Sequence, residues 1–218
     1  MGVHPTTTPR RRGRPAGSTG TELLAVACGQ FVAHGYDGTT MDAVAAQARI
    51  SKQSLYGAYP SKEQLYAAVV RDWVDRGHDA LRPYTLALRE STDVDGGLRE
   101  LATALQAGIL SPPVLQMRTL VAAQAELFPE VAADYVSRSW DRNLGHLART
   151  LGALTRRGLL AVEHPEVAAE QFVWLAVGAP LNQLSLRGGG HGYSPRRLRQ
   201  VADEAVATFL SRYRPAPH

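Results

Sequence analysis

The sequence predicts an all-α fold of about nine helices. Apolar residues recur at spacings of three and four along most of the chain, as on one face of an α-helix, and no stretch alternates apolar and polar residues like a half-buried strand. Prolines and helix-capping residues divide these periodic stretches into segments of ordinary helix length. Of the 218 residues, 44% are hydrophobic and 20% are charged, so the chain can bury a sizeable core.

A helix-turn-helix layout is predicted at residues 39–65, TTMDAVAAQARISKQSLYGAYPSKEQL. Thr40 is the expected N-cap of a helix with one apolar face, formed by Met41, Val44, Ala45 and Ala48. Ser51 caps a second short helix, and Pro60 ends it because proline disfavours α geometry in the residue before it. Ser61 and Gln64 form a capping box for a third helix. Two short helices joined by a tight turn are typical of proteins that read DNA.

The remaining helices are predicted from apolar periodicity and from the residues that interrupt it. Gly158 is the expected C-cap of one of them, and Pro180 predicts a kink inside another. A first helix contains Leu23 and Phe31. The later helices are expected at 61–83, 98–109, 114–128, 129–157, 165–186 and 195–213.

Residues 20–70 resemble the DNA-binding domain of the TetR family of transcriptional regulators. The likeness rests on the motif above read with the apolar residues and the Gly35-Tyr36 pair upstream. It implies a helix-turn-helix domain at 19–64 and a helical effector-binding and dimerisation domain at 65–218. Arg49 stands where the family most often has a glycine, so it is expected at positive φ. Gly57 and Ala58 replace the larger pair that often follows the Leu-Tyr step.

The second short helix is expected to enter the major groove by its N-terminal turn. Lys52, Gln53 and Tyr56 are the candidates for contacts with base edges or the adjoining backbone, since lysine can donate to guanine and glutamine can bind adenine. Phosphate contacts are expected from Thr40, Ser54, Tyr59 and Lys62. A partly core position is the alternative for Tyr56 and Tyr59.

The basic segment before this motif is a candidate second DNA contact. Residues 1–18 contain no acidic residue and lack apolar periodicity, which predicts a disordered arm. Its four arginines are Arg10, Arg11, Arg12 and Arg14. The run RGRP at 12–15 resembles the core of an AT-hook, whose arginines lie in a narrow minor groove. A merely solvated basic tail is the alternative.

An apolar effector pocket between helices is predicted in the C-terminal part. Such sites combine apolar walls with a few polar groups. The candidate lining residues are Met117, Arg118, Phe128, Tyr135, Trp140, Asn143 and Trp174. For each of them the alternative is ordinary core packing.

A two-fold dimer is expected because helix-turn-helix proteins usually read two half-sites. The last two helices supply the predicted interface, in which alanines allow close approach: Phe172, Leu175, Ala176, Ala179, Leu198, Val201, Ala205 and Phe209. Packing of these faces within one subunit is the alternative.

Catalytic functions find little support in the sequence. It has no H-E-x-x-H or G-x-S-x-G motif and no cysteine–histidine cluster, and we predict neither a cofactor nor a metal site. The apolar runs are too short to cross a bilayer, so we expect a cytoplasmic protein without a membrane partner. The predicted function is a sequence-specific DNA-binding regulator, a repressor that a small, largely apolar effector releases from its operator. A helical-bundle enzyme or ligand carrier that retains a helix-turn-helix module is the alternative.

Overall fold

All regular secondary structure in the described part of the chain is helical, which confirms the predicted fold class. The computed structural model describes residues 20–77, 79–187 and 192–216. In chain order its helices are α1 Gly20–Gly38, α2 Met41–Gln47, α3 Lys52–Ala58, α4 Lys62–Gly77, α5 Arg82–Glu90, α6 Val94–Ile109, α7 Pro112–Ala123, α8 Pro129–Tyr135, a π-helical segment Val136–Asp141, α9 Arg142–Arg156, α10 Pro165–Arg187 and α11 Pro195–Tyr213.

Two of the predicted helices are divided in the structure. The helix expected at 61–83 ends at Gly77, because Pro83 lies in the first turn of a separate helix, α5, where its missing N–H costs nothing. The helix expected at 129–157 consists of α8, the π-helical segment and α9, which follow one another without a break. Helix α7 ends at Ala123, five residues before the expected end at 128.

Two apolar cores hold the helices together. The N-terminal core joins α1–α4 through large buried side chains that include Phe31, Leu55 and Tyr66. It also takes in three buried residues of α7, which are Met117, Leu120 and Val121. The C-terminal core joins α5, α6, α9, α10 and α11 around side chains such as Leu101, Leu151 and Phe172. We call α1–α4 the N-terminal unit and α5–α11 the C-terminal unit. The division at 64/65 stays a prediction, and packing is continuous across it.

A buried glutamine compensates for the proline inside α10. Pro180 has no N–H to donate to the carbonyl of Ala176, four residues earlier. Gln106 Nε2, on α6, donates to that carbonyl at 3.0 Å and to the carbonyl of Leu198, on α11, at 2.9 Å. One side-chain amide therefore connects α6, α10 and α11 beside the proline.

Candidate nucleic-acid interface

The turn between α2 and α3 is fixed by local hydrogen bonds. Thr40 Oγ1 accepts from the N–H of Ala43 at 3.1 Å, and Ser51 Oγ accepts from the N–H of Ser54 at 3.0 Å, so both predicted N-caps are confirmed. At the end of α2 the N–H of Ile50 donates to the carbonyl of Ala45 at 3.1 Å.

Arg49 occupies the left-handed position of this turn. Its φ is 57°, which confirms the expectation drawn from the sequence. Its N–H donates to the carbonyl of Ala46 at 3.1 Å, and together with the bond from Ile50 this forms a Schellman motif. The motif requires positive φ at this residue, so an arginine is held where glycine is usual.

Helix α3 presents its polar side chains to solvent. Leu55 is fully buried in the N-terminal core and anchors the helix, whereas Lys52, Gln53 and Ser54 are exposed and Tyr56 is 46% exposed. The structure therefore brings these predicted DNA-contact residues together at one surface.

Tyr59 and Thr40 flank this surface differently. Tyr59 is half-buried against the N-terminal core, consistent with the alternative that it is partly a core aromatic. Thr40 is exposed, and its hydroxyl caps α2.

The two lysines of the motif already have partners within the chain. Lys52 Nζ forms an exposed ion pair with Asp42 Oδ2 at 2.5 Å, which links α3 to α2. Lys62 Nζ donates to the carbonyl of Tyr36 at 2.9 Å and lies 4.2 Å from the centroid of the Tyr36 ring. This half-buried position gives Lys62 an intrachain structural role, and its phosphate contact stays a prediction.

Four aromatic rings connect this motif to the C-terminal unit. Phe31, Tyr36 and Tyr66 pack against one another, with ring centroids 5.4–6.0 Å apart. Phe128, which precedes α8, places its ring 4.9 Å from that of Tyr36 and 5.4 Å from that of Tyr66. Burial raises the pKa of Tyr66 to about 12.

Family models match both parts of the chain. The model for bacterial regulatory proteins of the tetR family matches residues 23–69, and the model for the C-terminal domain of AefR-like transcriptional repressors matches residues 96–215, more than half of the chain. The chain belongs to the TetR family. It is therefore a DNA-binding transcriptional regulator and not an enzyme, as predicted.

Known relatives agree with this assignment. A TetR-family transcriptional regulator from Mesorhizobium loti has 30% sequence identity and a TM-score of 0.84, over 89% of this chain and 96% of that one. An uncharacterized HTH-type transcriptional regulator from Mycobacterium tuberculosis is 54% identical over 48 residues, which are 22% of this chain and 24% of the relative. The HTH-type transcriptional activator FasR from Mycolicibacterium smegmatis is 39% identical over 83 residues, 38% of this chain and 36% of FasR. The matches with these two curated relatives thus span well under half of their lengths.

In this TetR-family chain, ion pairs join α4 to the helices that follow α7. Asp75 on α4 pairs with Arg138 in the π-helical segment. Asp79, two residues after the end of α4, pairs with Arg142 at the start of α9 at 3.3 Å. Arg71 on α4 lies 3.8 Å from Asp134 on α8. These exposed pairs are individually weak, but together they connect α4 and the turn after it to α8, the π-helical segment and α9.

The predicted pocket residues divide into two groups. Met117 is fully buried in the N-terminal core, and Phe128 and Tyr135 pack against the same core. Trp140 packs against the C-terminal core, and its ring centroid is 5.8 Å from that of Trp174 on α10.

The polar pocket candidates lie near the same helices. Arg118 is half-buried, and the Asn143 amide donates to the carbonyl of Ser139 at 2.6 Å.

Two surface depressions lie away from these residues. One depression, of about 400 Å³, is lined by Tyr84, Arg99, Glu100, Thr103, Ala104 and Ala107. The other, of about 350 Å³, is lined by Arg89, Ala148, Arg149, Gly152, Arg156, Pro165 and Glu166.

Half of the predicted dimer residues belong to the core of one subunit. Phe172, Ala176, Ala205 and Phe209 are each 3% exposed or less, so their prediction as interface residues is corrected: side chains enclosed by their own subunit cannot contact a second one. Leu198 and Val201 are half-buried, and Leu175 and Ala179 are exposed.

Sequence reasoning missed two exposed apolar residues on α10, Val167 and Leu186, and assigned a third, Trp174, to the pocket. Val167, Trp174 and Leu186 are 49%, 50% and 78% exposed and lie on the same side of the helix as Leu175. The available signal was that apolar residues surround α10 on every side, which indicates burial on two faces.

The predicted basic arm lies outside the described residues. Arg10, Arg11, Arg12 and Arg14 precede Gly20, which is the first residue that the structure describes. Within the described ranges, none of the helices has the length and apolar character needed to cross a membrane.

Proposed function

We propose that this TetR-family regulator is a homodimeric repressor that a small, largely apolar effector releases from operator DNA. The observation that carries the proposal is the insertion of C-terminal residues into the N-terminal core. Met117 is fully buried there, and the Phe128 ring packs against Tyr36 and Tyr66. Movement of α7 or α8 would therefore displace the helices that carry the DNA-contact surface.

The proposed DNA contacts follow from the exposed surface of α3. Lys52, Gln53 and Tyr56 face the bases or the adjoining backbone, and Thr40, Ser54 and Tyr59 contact phosphates. The arginine arm at 10–14 lies in the adjacent minor groove. Support for the first group comes from its common exposure around the buried anchor Leu55.

The proposed dimer forms through the outer side of α10. Val167, Trp174, Leu175 and Leu186 form an exposed apolar stripe there, with Ala179 beside them, and isolated subunits rarely expose a stripe of this kind without a partner. Leu198 and Val201 of α11 lie at the edge of this stripe.

The dimer interface can be tested with one variant and a matched control. Leu175→Glu should convert dimers to monomers in sedimentation equilibrium, whereas the matched variant Leu127→Glu, at another exposed leucine, should leave the dimer intact.

The proposed effector site lies between α7, α8, the π-helical segment and α10. π-helical turns often mark functional sites, and this one adjoins the Trp140–Trp174 pair on one side and the Tyr135–Phe128 region on the other. An effector that separates these groups would favour a state in which α8 no longer holds Phe128 against Tyr36. It releases DNA only to the extent that it prefers that state.

Repression and release require separate experiments. The chain should silence a reporter gene placed under the promoter region upstream of its own gene. Stimulation of the reporter would contradict the proposed repression, and this outcome is specifically to be looked for because the partial relative FasR is named a transcriptional activator. For release, a thermal-shift screen of apolar compounds should identify ligands, which should then lower DNA affinity in fluorescence anisotropy. Ligands that stabilise the chain without changing its DNA affinity would contradict the release mechanism.

A further inference from the structure

We propose that Arg49 is a DNA-backbone contact that the turn between α2 and α3 presents to a phosphate beside the major groove. The proposal rests on DNA binding by α3 and adds to it a residue outside that helix. Arg49 is the single non-glycine residue at positive φ in the described ranges of the chain. That conformation costs free energy for an arginine, and retained strain is a reason to look for a function.

The position of Arg49 suits this role. It lies two residues before Ser51, the N-cap of α3, so its Cα is at most about 7 Å from that of Ser51. A recognition helix enters the groove by its N-terminal turn, and phosphates line both edges of the groove. The side chain of Arg49 is exposed. A long, flexible guanidinium at this point can therefore reach the backbone next to the bases that Gln53 faces.

The charge of the segment that contains the helix-turn-helix motif, residues 20–64, strengthens the inference. Residues 20–64 contain three cations, Arg49, Lys52 and Lys62, against four carboxylates, Glu22, Asp37, Asp42 and Glu63. Affinity for DNA depends on cations that replace condensed counterions, and this segment has few to offer.

Two of the three cations are committed within the chain. Lys52 pairs with Asp42, and Lys62 binds the carbonyl and the ring of Tyr36. Among the described residues of the segment, Arg49 is the cation whose side chain makes no ion pair or hydrogen bond with the chain. It is thus the cation available to a phosphate without breaking an existing contact.

The test separates the charge of Arg49 from its strain. Arg49→Gly and Arg49→Asn both remove the charge and suit positive φ, whereas Arg49→Lys keeps the charge at a strained position. Binding of the full chain is measured by fluorescence anisotropy on a duplex selected from a random-sequence pool and on a scrambled duplex, between about 50 and 200 mM salt. Thermal unfolding of each variant is measured in parallel.

Opposite changes in stability and affinity are expected. The midpoint of thermal unfolding should stay the same or rise for Arg49→Gly and Arg49→Asn, while their Kd rises about three- to tenfold on both duplexes and the salt slope becomes shallower by about one. Arg49→Lys should retain most of the affinity and the parental slope.

Three results would overturn the assignment. Parental Kd and salt slope in Arg49→Gly and Arg49→Asn would show that Arg49 does not contact DNA. A loss confined to the selected duplex would make it a base contact. An equal loss in Arg49→Lys would show that charge is not the cause. Failure of the parent chain to bind either duplex would instead contradict DNA binding by the chain as a whole.

Discussion

The N-terminal and C-terminal units differ in how their helices are bounded. In the N-terminal unit, side chains cap the helices locally: Thr40 caps α2, Ser51 caps α3, and the N–H of Gln64 donates to Ser61 Oγ at the start of α4. In the C-terminal unit, Asp93 caps α6 and Ser194 caps α11, but α5, α7 and α8 have a proline in the first turn and no side-chain cap. Local hydrogen bonds thus bound both helices of the DNA-contact surface, whereas three helices of the proposed sensor lack such caps and depend more on packing between distant segments.

The two units also differ in what holds them to each other. The N-terminal core continues into α7 through Met117 and into the start of α8 through Phe128. Two exposed ion pairs add to this contact: Asp75 on α4 pairs with Arg138 in the π-helical segment, and Asp79 after α4 pairs with Arg142 on α9. Since exposed ion pairs contribute little, the apolar contacts carry most of the coupling between the two units.

The largest expected effect tests whether the two units unfold together. Phe31 and Phe172 are both fully buried, one in each core. Replacing either with alanine should lower the free energy of unfolding by about 3–5 kcal/mol, and both variants should retain a single transition in calorimetry. Two separate transitions, of which each variant moves only one, would show that the contacts through Met117 and Phe128 do not couple the units.

A second prediction concerns the stability of the N-terminal core at alkaline pH. Tyr66 is 1% exposed, and burial raises its pKa from 10 to about 12. The unfolded chain therefore releases this proton first, so the stabilisation is fully present below pH 10 and is lost as the pH rises toward 12. The expected loss is about 2–3 kcal/mol.

The control for this effect is Tyr66→Phe, which removes the titrating group and keeps the ring. Urea unfolding at a series of pH values should show a shallower alkaline decline in this variant than in the parent chain. Equal declines would assign the effect to other groups.

A smaller effect distinguishes the two lysines of the helix-turn-helix motif. Lys62→Ala should destabilise the chain by about 1–2 kcal/mol, because it removes a charged hydrogen bond and a cation–π contact with Tyr36. Lys52→Ala removes the same charge from an exposed pair with Asp42 and should change stability by less than about 0.5 kcal/mol. The measurement is urea unfolding of both variants. Equal losses would contradict the structural role of Lys62.

The sequence predicts the N-terminal unit better than the C-terminal unit for a physical reason. Caps depend on neighbouring residues, so the sequence predicts Thr40 and Ser51 as N-caps correctly, and the family resemblance correctly predicts the positive φ of Arg49. The π-helical segment inside the long helix that begins at Pro129 has no signal in the spacing of apolar residues. The same limit explains why Phe172 was assigned to the dimer interface, since periodicity shows that a face is apolar but not what covers it.

Sequence spacing also does not predict which distant side chains come into contact, as Lys62 and the candidate pocket residues show. Lys62 finds its partner in Tyr36, 26 residues earlier in the chain, and no sequence spacing predicts that contact. Met117 and Trp140 are both apolar residues at helical positions, yet they belong to different cores. Assigning an apolar residue to a pocket requires knowing which helices meet, and that is a property of the assembled fold.

The smallest effect concerns two glycines that differ in their relation to the DNA surface. A Cβ added at Gly57 on α3 or at Gly29 on α1 would meet no atom within 4 Å, and both glycines have ordinary helical φ. Glycine inside a helix is less stable than alanine, so Gly57→Ala and Gly29→Ala should each stabilise the chain by about 0.5–1 kcal/mol.

Their effects on DNA affinity should differ because Gly57 lies one helical turn after Gln53, on the proposed DNA side of α3. A methyl group there would meet the groove, so Gly57→Ala should weaken binding by about 1 kcal/mol in fluorescence anisotropy, while Gly29→Ala leaves it unchanged. If both variants bind like the parent chain, α3 enters the groove by its first turn alone and the small side chains at its end do not permit closer approach. A loss in Gly29→Ala as well would mean that helix stability in the N-terminal unit, and not contact with the groove, controls the affinity.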